Sequence, residues 1–179
     1  MNKKGRGWSY WSRNKLEILQ GYMPAFNQAS KSVTERIYID LMAGEPVNFD
    51  KHTKKQSDGS ARLALASQPG FTRFAFGEMP TNAAKLKADL DTRQPGAPFK
   101  VYPGDCNVRI KQMLADLADV KWAPTFAFLD QHHGNPDGVR VAELFLVLPP
   151  QEVHHLGAEV PGLDLVGLEA GSEDAAPVP

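Results

Sequence analysis

Four acidic side chains each follow a short hydrophobic run of the chain. They are Asp40 after Ile37-Tyr38-Ile39, Glu78 after Phe74-Ala75-Phe76-Gly77, Asp105 after Val101-Tyr102-Pro103-Gly104, and Asp130 after Phe126-Ala127-Phe128-Leu129. A parallel sheet with helices on both faces binds ligands at the carboxyl ends of its strands. The four carboxylates are therefore expected to line one crevice.

The segments that carry these acids alternate between strand-like and helix-like patterns. Strands are predicted near residues 36–41, 71–76, 100–102 and 125–129, and helices near 12–22, 60–67, 82–90 and 107–120. This order predicts an α/β, three-layer, Rossmann-like and mainly parallel sheet. The segment from Ala43 to Ser60 is predicted to be a loop, and Thr81 is the expected cap of the third helix. The fourth helix is expected to bury one side that carries Ile110, Met113, Leu114 and Leu117.

The regular alternation stops after Asp130. Glu143 to Leu148 reads as a fifth strand, but the segment before it contains Gly134, Pro136 and Gly138 and leaves little room for a crossover helix. The fold is therefore expected to be incomplete at its C-terminal side.

Composition and charge divide the chain into a folded part and a tail. Residues 1–130 hold 19 Lys and Arg against 13 Asp and Glu, whereas residues 131–179 hold one against eight. We predict one Rossmann-like domain over 1–150 and a disordered tail, rich in acid, Pro, Gly and Ala, over 151–179. No apolar stretch reaches the roughly 18 residues of a membrane span, and the single cysteine favours a cytoplasmic location.

The turn after the first predicted strand narrows the choice of cofactor. Ala43 and Gly44 are small, but the turn is not G-x-G-x-x-G, and Glu45 repels a pyrophosphate, which disfavours a dinucleotide. A cationic cofactor without phosphate, such as S-adenosylmethionine, is compatible with Asp40 and Glu45 near its amino acid portion, because opposite charges attract. In that interpretation Glu78 accepts the ribose hydroxyls, Asp40, Ala43 and Gly44 border the methionine portion, and Asp105 faces the adenine amine.

Several spaced motifs resemble those of one family. In chain order they are Trp11 to Leu19, Tyr38 to Gly44, Gly59-Ser60, Gly104 to Asn107 and Phe126 to Asp130. Over about residues 8 to 130 the chain resembles the three-Cys-motif partner proteins, TcmP. The resemblance implies a relation to S-adenosylmethionine-dependent methyltransferases, a cofactor site that uses Asp40, Gly44, Glu78 and Asp105, and a partner protein with a three-cysteine, radical-type iron–sulfur motif.

The resemblance also implies a role for Asp130 and exposes two departures. Asp130 corresponds to the aspartate of a Phe-Leu-Asp-Pro-Tyr-Gly element, comparable in position to a catalytic loop, and is expected to position the methyl acceptor. Here Gln131 replaces the proline. Family members continue with further helices and strands, whereas this chain enters its acidic segment, so a truncation, an internal deletion or a shifted reading frame is expected.

Each of these interpretations has an alternative. The acids can be helix caps, and the chain can be a non-catalytic partner protein or a truncated, inactive family member. Cys106 is read as a small buried thiol rather than a nucleophile. Adjacent histidines at 132–133 and 154–155 lack a complete ligand set, so no metal is assigned. Trp8, Tyr10 and Trp11 beside basic residues can stack on nucleic acid, an alternative that we do not favour.

Overall fold

The computed structural model of the protein describes residues 10–49, 54–130 and 142–147, with side chains over 15–49 and 54–129. All of these residues belong to one compact unit, Met1–Pro149. The helices are α1 (Tyr10–Ala29), α2 (Ser60–Ala66), α3 (Pro80–Arg93) and α4 (Cys106–Asp116), followed by a 3-10 turn at Ala118–Val120. The strands are β1 (Ile37–Asp40), β2 (Val47–Phe49), β3 (Gln56–Asp58), β4 (Arg73–Glu78), β5 (Phe99–Pro103), β6 (Thr125–Asp130) and β7 (Ala142–Val147).

Five of the strands form the main sheet in the order β5-β4-β1-β6-β7. The pairs β5–β4, β4–β1 and β1–β6 are parallel, and β7 runs antiparallel to β6. A doubly wound sheet continues beyond this point through crossover helices. The described part is therefore an α/β, mainly parallel, incomplete Rossmann-like fold, as the sequence predicted.

One face of the sheet carries a layer of aromatic rings. Tyr38 of β1 stacks on Phe126 of β6 with ring centroids 5.8 Å apart, and Phe26 of α1 meets Phe126 edge-on at 5.4 Å. Phe71 lies 5.2 Å from the Tyr38 ring. Aromatic pairs at such separations stabilise a core beyond their buried area. The helices α1, α2 and α3 cover this face.

The opposite face is packed by aliphatic side chains under α4. Ile37 and Ile39 alternate with Tyr38 along β1 and therefore point to this side, where they join Ala75 and Met113 in one buried cluster. Both faces of the central strands are thus covered. This explains why β1 is buried along its whole length.

The structure corrects several local predictions. The segment from Ala43 to Ser60, read as a loop, contains the antiparallel hairpin β2–β3. The expected cap at Thr81 is wrong, because α3 follows Met79 and begins with Pro80. Leu114 does not share the buried side of α4, since it is 56% exposed. Cys106, expected to be buried, is only partly so.

Three further predictions concern residues outside the described part of the chain. They are those for the tail over 151–179, for the paired histidines and for the aromatic residue Trp8. Within the described ranges, the longest helices lack the length or the hydropathy needed to cross a bilayer.

Candidate functional site

The four predicted acids lie at the carboxyl ends of the parallel strands or directly after them. Asp40 is the last residue of β1 and pairs with Phe76 and Phe128, whereas β4 and β6 each run two residues further, to Glu78 and Asp130. Two residues of a strand span about 6–7 Å. Strand pairing therefore ends earlier at β1 than at its two neighbours, and we call the region between the ends of β4 and β6 the β1 recess.

A turn formed by residues 40–44, which we call the recess turn, crosses the end of β4. The N–H of Ala43 donates to the Gly77 carbonyl at 2.9 Å. Gly77 allows this approach because a Cβ there would lie 2.7 Å from the carbonyl oxygen of Leu41. The turn is thus packed tightly against the neighbouring strand.

Asp40 acts inside the recess turn and has no exposed surface. Its Oδ1 accepts the N–H of Met42 at 3.1 Å, and its Oδ2 accepts the hydroxyl of Ser60 at 2.6 Å. The Ser60 hydroxyl also lies 3.3 Å from the Ala43 carbonyl. A ligand in the β1 recess therefore meets the turn that Asp40 shapes rather than the Asp40 carboxylate itself.

Tyr38 lies two residues before Asp40 on the same face of β1, and its own burial changes the pKa of its phenol. Removal from water raises the pKa of the Tyr38 phenol well above its ordinary value, and the negative charge of Asp40 raises it further. The phenol is therefore kept neutral within the aromatic layer.

Gly44 and Glu78 join the recess turn to the end of β4. Gly44 has a φ of +68°, which favours glycine, and its N–H donates to Glu78 Oε2 at 2.6 Å. Glu78 Oε1 accepts the N–H of Met79 at 2.8 Å and lies 3.4 Å from Asn82 Nδ2. The Glu78 side chain is 9% exposed and sits at the start of α3, where the helix dipole favours an anion.

Asp105 lies in the loop after β5, which is hydrogen-bonded to the end of β4. Its side chain, however, caps a helix. Its Oδ1 accepts the N–H of Asn107 at 2.8 Å and so caps α4. The preceding residue, Gly104, donates its N–H to the Glu78 carbonyl at 2.9 Å. The helix-cap alternative is therefore realised for Asp105, while its loop stays attached to the end of β4.

Asp130 ends β6, where its backbone pairs with Ala142 of β7. Its side chain and the residues directly after it lie outside the described part. The strand end is thus located at the same edge as Glu78, on the far side of β1.

Sequence reasoning missed three residues of this region. Ser60 holds the buried oxygen of Asp40, and Asn82 approaches the Glu78 carboxylate. Met79 follows Glu78 and is 56% exposed at the same edge. The available signals were the position of Ser60 at the start of α2, the spacing of four residues between Glu78 and Asn82, and an apolar side chain directly after an acid.

Comparisons with known proteins add no relative: family models, curated proteins and solved structures each give no match to this chain. Within the described ranges, the His, Cys, Asp and Glu side chains form no group of three suited to a metal ion. The fold and the site geometry therefore carry the functional argument.

Proposed function

We propose that this chain is a cytoplasmic, S-adenosylmethionine-dependent methyltransferase-like protein of the three-Cys-motif partner type. The observation that carries the proposal is the bond between the Gly44 N–H and the Glu78 carboxylate. It joins a small-residue turn after the first strand of the Rossmann-like sheet to an acid at the end of the neighbouring strand. This is the arrangement that Rossmann-type sites use for the ribose of a cofactor.

The strand order supports the β1 recess as the ligand site. The chain proceeds from β1 to β4 and β5 on one side, and then returns to the other side of β1 with β6. Ligands of open α/β sheets bind where the strand order reverses in this way. The reversal lies at β1, between the ends of β4 and β6.

The charges of the region favour a cofactor with a cationic part. Asp40 and Glu78 are acidic, and Glu45, exposed next to the recess turn, adds a third carboxylate. A pyrophosphate near the turn is repelled by this negative charge, whereas a sulfonium and an amino group are attracted. S-adenosylmethionine fits this charge pattern better than a dinucleotide.

The proposed roles follow from the positions of the residues. Glu78 has about one acceptor site left beyond its three N–H contacts, and that site receives a ribose hydroxyl. Ala43 and Gly44 present backbone to the methionine portion, with Asp40 fixing their turn. Asp105 faces the adenine amine, and Met79 offers the adenine ring an apolar contact.

Asp130 is proposed to position the methyl acceptor on the opposite side of the β1 recess. If S-adenosylmethionine binds here, it would supply an electrophilic methyl group for in-line transfer to the acceptor, which would give up a proton. Asp130 orients the attacking atom and receives the proton or a hydrogen bond from it.

Calorimetric titration of the full-length protein tests the cofactor assignment. We expect saturable heat at one site with S-adenosylmethionine and with S-adenosylhomocysteine, and none with a nicotinamide dinucleotide. No heat with either sulfur compound would refute the proposal. Heat with the dinucleotide alone would overturn the charge argument.

A second candidate function is a non-catalytic partner protein for a radical-type iron–sulfur enzyme. The observation that favours it is that the Asp40 and Asp105 side chains serve the fold, as a turn brace and a helix cap. Co-purification with a three-cysteine radical-type protein, unchanged in Asp130→Ala while biological activity persists, supports this function. A third alternative is that the chain is an inactive fragment. A cooperative thermal melt of the purified protein would contradict it.

A further inference from the structure

A cation lies between two carboxylates away from the β1 recess. The Arg62 side chain is 9% exposed, its Nε donates to Asp89 Oδ2 at 2.7 Å, and its Nη1 donates to Asp58 Oδ1 at 2.8 Å. Its Nη2 also bonds to Asp89 Oδ1, which makes the contact with Asp89 a two-pronged one. We call this group the Arg62 clamp.

The Arg62 clamp connects three elements. Asp58 is the last residue of β3, Arg62 lies in α2, and Asp89 lies in α3. The same α3 begins directly beyond Glu78 and Met79. The clamp therefore attaches the β2–β3 hairpin to the helix that starts at the Glu78 end of the site.

The base of the hairpin transmits this attachment to the recess turn. The N–H of Gly59 donates to the Pro46 carbonyl at 2.9 Å. A Cβ at Gly59 would lie 2.5 Å from the Glu45 carbonyl oxygen, so the two chain segments are in close contact. Asp58 is thus followed directly by a residue that contacts Glu45, the neighbour of Gly44.

The cation of the Arg62 clamp is more buried than its partners, since the side chains of Asp89 and Asp58 are 22% and 43% exposed. Loss of either carboxylate therefore leaves a nearly buried guanidinium with less compensation for its charge. The bonds to Arg62 lower the pKa of Asp89, and the two carboxylates raise the pKa of Arg62. Asp89 therefore remains charged and bonded to Arg62 over the ordinary pH range.

We propose that Arg62 is a positioning residue, which holds the hairpin against α3 so that the Gly44 N–H stays on the Glu78 carboxylate. The functional part of this inference rests on the proposed cofactor role of the recess turn. The mechanical part concerns the free protein alone. Arg62 touches no ligand in this scheme and acts through the hairpin base.

Amide hydrogen exchange in the full-length protein tests the mechanical part. The variant Arg62→Lys keeps the cation but loses the planar fork, and so cannot hold both carboxylates in the same geometry. The expected result is an increase of about tenfold in the exchange rate of the Gly44 amide, beyond any change at the amides of β1, which report global unfolding.

Lys87→Met provides the matched control, because it removes an exposed ion pair with Asp91 within α3. The exchange of Gly44 is expected to stay at the wild-type rate in this variant. An equal increase at Gly44 and at the β1 amides in Arg62→Lys shows a role in stability alone and overturns the proposal. An unchanged Gly44 rate also overturns it.

Calorimetry on the same variants separates this inference from the proposed function. If the wild-type protein binds S-adenosylmethionine, Arg62→Lys is expected to weaken that binding several-fold, while Lys87→Met leaves it unchanged. Equal affinity in Arg62→Lys despite a faster Gly44 amide refutes the functional part. If the wild-type protein gives no heat, the proposed function fails, and the exchange data still decide whether Arg62 positions Gly44.

Discussion

The backbone N–H of Gly44 lies 2.6 Å from the Glu78 carboxylate, so that two residues 34 positions apart join the ends of adjacent strands. Gly44 reaches this position with a left-handed backbone, and Glu78 is held by the first residues of α3. The bond defines one wall of the β1 recess.

Glu78→Gln is expected to weaken S-adenosylmethionine binding by about tenfold or more, since a hydrogen bond to a charged group contributes about 1.5–3 kcal/mol. The amide NH₂ of glutamine also faces the N–H of either Gly44 or Met79, which removes one acceptor. Calorimetry measures the affinity, and Asp91→Asn on the exposed side of α3 is the control. Equal affinities for wild type and Glu78→Gln would exclude Glu78 from the site.

Gly44→Ala is expected to lower the free energy of unfolding by about 1 kcal/mol, because alanine disfavours the left-handed backbone. Gly96 is a matched control, since its φ is +81° and a Cβ there meets nothing within 4 Å. Both alanine variants should lose similar stability in urea unfolding. Only Gly44→Ala should also reduce cofactor binding, and an equal effect of both variants on affinity would argue against a site at the recess turn.

Gly77→Ala is expected to destabilise the protein by about 2–4 kcal/mol, the range of severe packing defects. A Cβ would lie 2.7 Å from the backbone oxygen of Leu41, which cannot move without shifting the recess turn. Gly21→Ala in α1 is the control, because its Cβ meets nothing within 4 Å and alanine favours helix there. Thermal melting should therefore move in opposite directions for the two variants; a small loss in Gly77→Ala would show that the turn is not tightly packed.

Ser60→Ala is expected to cost about 1–3 kcal/mol of stability, because the buried Asp40 carboxylate loses the donor at its Oδ2. Ser57→Ala, on the exposed strand β3, serves as the control and should change stability little. Denaturant unfolding compares the two variants. If both behave alike, the Ser60 hydroxyl does not support Asp40 in solution.

Alkaline pH is expected to destabilise the protein through Tyr38. An unfolded tyrosine has a pKa of about 10, and burial together with Asp40 raises the pKa of Tyr38 in the folded state. The raised pKa contributes stability that is fully present below pH of about 10 and is lost as the pH rises toward the folded value. Unfolding free energies measured up the alkaline range should fall less steeply in Tyr38→Phe than in wild type. Identical slopes would contradict this.

The sequence allowed the fold to be predicted because the central strands are short hydrophobic runs with clear helical segments between them. The hairpin β2–β3 was not predicted, because its strands, Val47–Phe49 and Gln56–Asp58, are only three residues long and partly polar. The edge of the sheet that carries the acids could be predicted from the direction of the strands. The sequence could not show which acid faces a ligand, because the contacts of Asp40 with Ser60 and of Glu78 with Gly44 depend on tertiary structure.

The β1 recess also limits the size of what can bridge its two sides. The strands β4 and β6 flank β1, and two strand spacings place their backbones about 10 Å apart. A ligand that contacts both strand ends must span about that distance, which a nucleoside with its substituent does and a single ion does not.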